Sequence, residues 1–382
     1  MQNINKKKLV QFGAGNIGRS FIGQLFARNG WDVVFIDIDE TLVKTLNERK
    51  EYKVYVKATD KEDDVLLVTN IRAVNGKNEE AVIGEIESAS MISTSVGSGV
   101  LPYILPVIAR GILKRNQTLD FILAENIRNG ARFVKDHLKS LLPEDFPLDD
   151  TIGLVETSIG KMVPLMKGED KKNDPLAVFS EAYNKLIVDR KGFRGQIPLF
   201  SDLHPVDNIA AYVDRKLFIH NLGHAASAYL GYAYDQTFKY IWQVLDVESI
   251  YNQVRSAMVE AAEALVLEYP DDLNRESLQD HIDDLLFRFQ NKSLGDTIYR
   301  VGRDLYRKLN REDRIVGAII LAQKHGLLYE SIKLVYKTAC KFKATDENGD
   351  MFERDKIFHQ NYDKCSIIKI LKEVSFFEEN NF

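Results

Sequence analysis

An α/β chain is predicted from three observations. Short apolar runs alternate with amphipathic helical stretches through the first half, a glycine-rich turn joins the first run to the first helix, and strand-like runs stop near residue 195. Together they predict a doubly wound parallel sheet followed by a mainly α-helical C-terminal domain. At 382 residues the length suits two domains, taken as 1–195 and 196–382.

Residues 9–12, 33–36, 65–68, 91–94, 121–123 and 152–155 read as buried strands. Between the first two, residues 19–29 place Phe21, Ile22, Leu25 and Phe26 on one helical stripe, and helical patterns recur at 101–114 and 127–142. Strand and helix in alternation suit a parallel sheet covered on both faces. Gly192, Gly195, Pro198 and Pro205 then punctuate the chain and place the domain boundary between 190 and 206. Beyond it, residues 207–234 read as one long helix rich in Ala and aromatic residues, and further helices are expected at 247–267, 278–289, 297–309, 313–325 and 329–342. The polar stretch 343–350 reads as a surface loop, without the spacing that a calcium loop requires.

Composition narrows the function. Net charge is −5 with both signs interspersed, which argues against nucleic acid as a partner and leaves a small molecule as the expected one. Cys340 and Cys365 are the two cysteines, far from any metal-ligand spacing, so a reducing compartment is expected. No secretory apolar segment and no membrane-length apolar run is present, and the expectation is a cytoplasmic protein, monomer or homodimer, with no membrane partner.

The first strand runs into Gly13-Ala14-Gly15-Asn16-Ile17-Gly18, a G-x-G-x-x-G turn that opens a helix. Gly13 suits the tight turn, Gly15 lets backbone approach a pyrophosphate, and Gly18 lets helix and strand pack closely. The helix start presents N–H groups and a positive dipole end to phosphates. Asp37 ends the second strand about 20 residues on, where an acid accepts ribose hydroxyls and repels a 2′-phosphate. NAD is therefore the expected cofactor, on a Rossmann-type domain, with Asp39 as a competitor for the acid's role. Ser95-Val96-Gly97 and Glu125-Asn126 follow later strands at the same sheet edge and are expected to line the cofactor site. Asn126 suits either a donor to a reacting oxygen or a cap of the next helix.

The long helix carries Lys216, His220, Asn221 and His224 among apolar neighbours. With Lys216 at zero, a regular α-helix puts His220 near about 40°, His224 near about 80° and Asn221 near about 140°. Polar groups buried together on one side each need a hydrogen-bond partner. Oxidising an alcohol by hydride transfer requires a base for the hydroxyl proton and donors for the developing alkoxide. A desolvated lysine can serve as that base near neutral pH. Lys216 is the expected base, Asn221 and Asn126 the oxygen-holding groups, and His224 the group that orients substrate hydroxyls. A surface lysine is the bland alternative. His220 and His224 also have zinc-ligand spacing, but no third ligand is evident and no metal is expected.

These residues resemble the polyol-specific long-chain dehydrogenase/reductase family. Its K-x4-N-x2-H signature occurs as Lys216, Asn221 and His224, and Phe12-Gly13-Ala14-Gly15-Asn16-Ile17-Gly18-Arg19 looks like its N-terminal fingerprint. Ala124-Glu125-Asn126, Arg300-Val301-Gly302-Arg303, Arg307-Lys308-Leu309 and Asp313-Arg314-Ile315 are similar as well, so the likeness runs from about residue 9 to 320. The resemblance implies a metal-independent NAD enzyme that interconverts mannitol 1-phosphate and fructose 6-phosphate, with the lysine as general base and the substrate between the two domains. It makes Arg303, Arg307 and Lys308 candidates for the phosphate, and adds Lys161 and His220 as substrate-side residues. The chain departs from the family's pattern at Gly160-Lys161-Met162, at Leu222 and at Val316-Gly317-Ala318. A non-phosphorylated polyol, a hexonate of the tagaturonate or fructuronate type, and a non-catalytic NAD-binding sensor remain as alternatives.

Overall fold

The fold is that of a computed structural model describing residues 7–58, 62–164, 166, 174–363 and 365–377. The chain divides into two compact units, one ending at Ile209 and one beginning at Ala210.

The N-terminal unit holds strands β1 (Lys8–Phe12), β2 (Asp32–Asp37), β3 (Tyr52–Val56), β4 (Asp64–Val68), β5 (Ile71–Asn75), β6 (Met91–Thr94), β7 (Leu119–Leu123), β8 (Ile152–Ile159), β9 (Val178–Ser180), β10 (Leu186–Asp189) and β11 (Leu203–Val206). Eight of them form one sheet in the order β11-β10-β8-β7-β6-β1-β2-β5. Neighbours run parallel except β8 and β10. Side-chain alternation builds a core on each face: Leu9, Val33 and Phe35 pack with Phe21, Ile22, Leu25 and Phe26, while Val10, Phe12, Val34 and Ile36 pack with Leu105, Ile108 and Ile112. Each large apolar side chain so buried contributes roughly 1.5–3 kcal/mol. The unit is thus a Rossmann-type sheet with helices on both faces, as the sequence predicts.

Two details differ from the prediction. The run at 65–68 is a strand, but β4 pairs antiparallel with β3 in a separate three-stranded sheet, β4-β3-β9. Its outer side chains Val65 and Leu67 are 50% and 51% exposed, so the run is a half-exposed edge and not a buried parallel strand. The unit also extends past residue 195. β11 adds to the sheet beside β10, which keeps the chain in the N-terminal unit to Ile209.

The C-terminal unit is helical. The long helix expected at 207–234 is a helix at Ile209–Arg215, a wide π turn at Lys216–Asn221, and a helix at Leu222–Tyr234. Helices Glu248–Glu268, Arg275–Phe289, Val316–Lys324 and Glu330–Ala339 lie close to expectation. The stretch 297–309 is two short helices, Ile298–Gly302 and Leu305–Lys308. Between them Asp304 takes φ +74°, and the buried carboxylate of Asp355 holds the break by accepting the N–H groups of Asp304 at 3.0 Å and Leu305 at 2.7 Å. Tyr229 ties the core to this segment, its hydroxyl donating to the Gly302 carbonyl at 2.8 Å.

Candidate active site

In the N-terminal unit, β1 is where the strand order reverses, with β2 and β5 on one side and β6 and β7 on the other. Ligands of open α/β sheets bind at the carboxyl ends of strands at such a switch. The glycine turn leaves β1 there. Gly13 has φ +89°, donates its N–H to the Ile36 carbonyl at 2.8 Å, and would place a Cβ 2.8 Å from the Ser95 carbonyl oxygen. A Cβ on Gly18 would overlap the Gly13 carbonyl. At Gly15 the space is open, with no atom within 4 Å of a Cβ position, and the helix begins at Asn16. Backbone that is closed at two glycines and open at the third, under a helix N-terminus, fits a dinucleotide pyrophosphate.

The two acids after β2 separate. Asp39 caps helix Glu40–Arg49, its Oδ1 accepting the Leu42 N–H at 3.0 Å. Asp37 belongs to the cradle, with Oδ2 accepting the Ala14 N–H at 2.8 Å and Oδ1 the Asp39 N–H at 3.0 Å. After β6, Ser95 Oγ accepts from Gln11 Nε2 at 2.9 Å. Glu125 sits under the next two residues, accepting the N–H groups of Val96 and Gly97 at 2.8 Å each. Burial raises the Glu125 pKa, and those N–H groups and Thr94 oppose the rise. Glu125 is therefore a brace for the 95–97 turn. Asn126 is exposed at the same edge, four residues before helix Gly130–Leu141. It is not that helix's cap: Glu156 accepts the first-turn N–H of Ala131 at 2.8 Å.

In the C-terminal unit the π turn changes the geometry expected of the long helix. Its hydrogen bonds run i to i+5, so Lys216 and Asn221 lie one wide turn apart on the same side. Lys216, Asn221 and His224 are all partly buried. Desolvation, and then the Arg314 guanidinium, lower the Lys216 pKa to about 8. Arg314 is itself buried, donates Nε to Asp313 Oδ1 at 2.6 Å and Nη1 to the Asn221 carbonyl at 3.4 Å. Upstream, Asp214 accepts the Tyr269 hydroxyl at 2.7 Å, which fixes the start of the turn against helix Glu248–Glu268. His224 stacks on Phe289, with ring centroids 4.8 Å apart and planes at 14°, and its Nε2 lies 3.0 Å from Asp296 Oδ2. An amine near its titration point, an amide one turn away and an imidazole one turn further can take a proton from a hydroxyl and hold its oxygen.

The expected substrate-side residues fare differently. His220 is only 6% exposed and packs on Phe289, ring centroids 5.5 Å apart. Burial first, then Arg288, His224, Lys216 and His281, push its pKa well below the ordinary value, so it is a neutral core imidazole and not a substrate contact. Lys161, 8% exposed, donates to the carbonyls of Glu181 and Tyr183 at 3.1 and 2.6 Å and to Asn184 Oδ1 at 3.1 Å, an internal brace of the N-terminal unit. Lys308, 3% exposed, turns inward to the Arg303 carbonyl, and burial drives its pKa far down. Arg307 pairs with Asp304 at 2.8 Å and Asp313 at 3.4 Å. Arg303 is exposed over the rings of Tyr299 and Phe352. Sequence reasoning gave no role to Arg314 or Asp296. The adjacent acid–base pair Asp313-Arg314 was the available signal for the first. For the second it was an acid after Gly295 and just ahead of a Thr-capped helix. Among the described residues no group of three or more His, Cys, Asp or Glu could hold a metal ion, and no helix is long and apolar enough to cross a membrane.

Comparison with known proteins agrees with this layout. The family described as mannitol dehydrogenase Rossmann domain matches residues 7–201, and that described as mannitol dehydrogenase C-terminal domain matches residues 208–380. The chain is 36% identical over 373 residues to the mannitol-1-phosphate 5-dehydrogenase of Shouchella clausii (strain KSM-K16), covering 96% of this chain and 97% of that protein. It is 35% identical over 328 residues to the protein of that name from Bacillus subtilis (strain 168), 85% of each chain. It is 37% identical over 315 residues to that of Geobacillus stearothermophilus, 81% of this chain and 80% of the other. Among solved structures, a Pseudomonas fluorescens mannitol 2-dehydrogenase in ternary complex with NAD and D-mannitol is similar in fold, with TM-score 0.73 and 14% identity over 93% of this chain and 84% of that one. A substrate-free D-sorbitol dehydrogenase has TM-score 0.76 and 14% identity over 91% and 83%. With both units matched and relatives above 30% identity along most of its length, the chain belongs to the mannitol dehydrogenase family.

Proposed function

We propose that this dehydrogenase is NAD-dependent and interconverts mannitol 1-phosphate and fructose 6-phosphate, with Lys216 as the general base. The observation that carries the reading is the Lys216 amine, held at a pKa of about 8 on the same side of a π turn as Asn221. The names borne by relatives that align along most of the chain support mannitol 1-phosphate as the substrate, and its oxidation at C5 gives fructose 6-phosphate.

Bound NAD supplies the hydride acceptor. Gly13, Ala14, Gly15, Asn16, Ile17 and Gly18 cradle its pyrophosphate, Asp37 faces the adenosine ribose, and Ser95, Val96 and Gly97, braced by Glu125, line the remainder. Lys216 in its neutral form accepts the proton of the reacting hydroxyl. Asn221 and Asn126 hold that oxygen, His224 orients neighbouring hydroxyls, and burial, with Arg314 beside it, lowers the Lys216 pKa to about 8 so that the neutral amine is within reach near physiological pH. In the reverse direction the ammonium of Lys216 returns the proton to the carbonyl oxygen. Arg303, whose guanidinium forms no ion pair among the described residues, is the phosphate contact of the three basic residues named above.

The test is absorbance of NADH with a panel of substrates. Turnover of mannitol 1-phosphate with NAD, and of fructose 6-phosphate with NADH, is expected at far higher kcat/KM than with mannitol, fructose, tagaturonate or fructuronate. Turnover of the unphosphorylated sugars alone would favour a second reading, a non-phosphorylated polyol, which has support in the inward-turned Lys308 and the acid-paired Arg307. NADH binding with no turnover of any of them would leave a sensor.

A further inference from the structure

Arg19 follows the glycine turn and has no role in the chemistry above, yet it is a cation only 7% exposed. A guanidinium does not shed its proton, so burying one is costly unless its donors are met by fixed partners. Here those partners are carbonyls. Nε donates to the Ala14 carbonyl at 2.6 Å, and Nη1 donates to the Leu176 carbonyl. The backbone of Arg19 is pinned in turn: its N–H donates to the Gly15 carbonyl at 3.0 Å, and its carbonyl accepts the Tyr52 hydroxyl at 2.8 Å. Leu176 is held as well, its N–H donating to Asp174 Oδ1 at 3.1 Å, and that carboxylate pairs with Arg49 at 2.6 Å. Burial lowers the Arg19 pKa, and Tyr52, Asp37, Asp174 and Asp39 oppose the drop. Among the described residues, however, no carboxylate comes within ion-pair distance of the guanidinium.

The consequence falls on one peptide group. Ala14 has its N–H taken by Asp37 Oδ2 at 2.8 Å and its carbonyl taken by Arg19, so an anion and a cation fix it from its two ends. The Ala14–Gly15 peptide is trans, and a trans peptide directs its carbonyl and its N–H to opposite sides. The Gly15 N–H is therefore turned away from the guanidinium, and it has no acceptor among the described residues. We propose that Arg19 is the positioning residue of the dinucleotide cradle: by holding the Ala14 carbonyl it aims the Gly15 N–H at the pyrophosphate, and its buried positive charge offsets the negative charge of Asp37 in the same turn. The inference rests on the reading of that turn as the NAD site. An acid placed to accept ribose hydroxyls also repels the phosphates next to it. A cation on the other end of Ala14 restores the balance, and because it lies under backbone, salt screens it little.

The experiment compares three probes on the full chain: NADH by its fluorescence, and ADP-ribose and adenosine by competition with it. Arg19→Met should weaken NADH and ADP-ribose about tenfold or more, the scale of one charge-assisted hydrogen bond. Adenosine, which carries no phosphate, should stay within about twofold. Arg19→Lys keeps the charge and should recover part of the loss. Equal weakening of all three probes would make Arg19 a structural brace and overturn the proposal. Should Arg19→Met not fold, the Gly15 amide of the unaltered protein decides. Its proton should shift downfield and exchange more slowly with ADP-ribose than with adenosine, and indifference to ADP-ribose overturns the proposal. If the unaltered protein binds neither NADH nor ADP-ribose, the reading of the turn as an NAD site fails and this inference falls with it. NADH bound by Arg19→Met as tightly as by the unaltered protein sinks the inference alone.

Discussion

In the N-terminal unit the candidate site is made of backbone: Gly13 and Gly18 are closed by neighbouring carbonyls, Gly15 is left open, and Asp37 and Glu125 spend their oxygens on main-chain N–H groups. In the C-terminal unit it is made of side chains on one helix, tuned by residues from three other segments: Arg314, Phe289 and Asp296. The first kind of site binds by shape and tolerates few substitutions anywhere in the turn. The second separates tasks, so that one residue can be lost and only one function with it. That contrast can be tested by changing each side in turn.

The largest effect is expected at Lys216. Lys216→Ala should lower kcat by about a thousandfold, within the usual range for a general base, while NADH binding measured by fluorescence stays unchanged. A parallel loss of NADH binding would break the division of labour. The sign with pH follows from the lowered pKa. A base must be neutral, so alcohol oxidation should rise as pH passes through about 8 and carbonyl reduction should fall over the same interval. An oxidation profile flat across that range would remove Lys216 from the role.

Next in size is the closed part of the cradle. Gly18→Ala forces a methyl into the Gly13 carbonyl and should destabilise the protein by about 1–3 kcal/mol, the usual cost of overpacking, seen as a lower urea midpoint. Gly15→Ala sharpens the same comparison, because its Cβ meets nothing in the protein. Its urea midpoint should stay put while NADH affinity falls, as expected if the open space takes the pyrophosphate proposed above. Equal behaviour of the two variants would deny that the open position is a binding feature.

A smaller change is expected for Asp37→Ala. It removes the acceptor of the Ala14 N–H, worth about 1 kcal/mol, and should narrow the preference for NAD over NADP. An unchanged ratio would deny Asp37 the ribose. The smallest concerns Lys308→Met. With its amine turned inward, substitution should leave the KM for a phosphorylated substrate within about twofold, whereas Arg303→Ala should raise it. The reverse pattern would return Lys308 to the phosphate.

How far the sequence spoke depended on how local the signal was. The glycine turn, the acid ending β2 and the Lys216/Asn221/His224 spacing are each contained in a short stretch, and all were legible. β3 and β5 were not, because Lys53 and Arg72 interrupt their apolar pattern on the exposed face. The antiparallel placement of β4 depends on a partner elsewhere in the chain, and a short apolar run does not encode it. The same limit governed the site. Nothing adjacent to Lys308 or Lys161 announces which carbonyls wait for their amines. Asp296, 72 positions from His224 in sequence, meets it only through the fold. Nor did spacing alone distinguish an α-helix from the wider turn that carries Lys216.

That wider turn sets a rule for how this helix can vary. It contains one residue more than an ordinary helical repeat would, so the segments before and after it are offset in phase by about 100°. The core-facing side of each segment is fitted to that offset. Deleting one position between Lys216 and Asn221 would let the wide turn close into an ordinary α-helical one and leave the faces downstream, His224 included, where they are, whereas deleting one elsewhere in the helix would turn them by about 100°. The wide turn is therefore the place where this helix can take up a change of length.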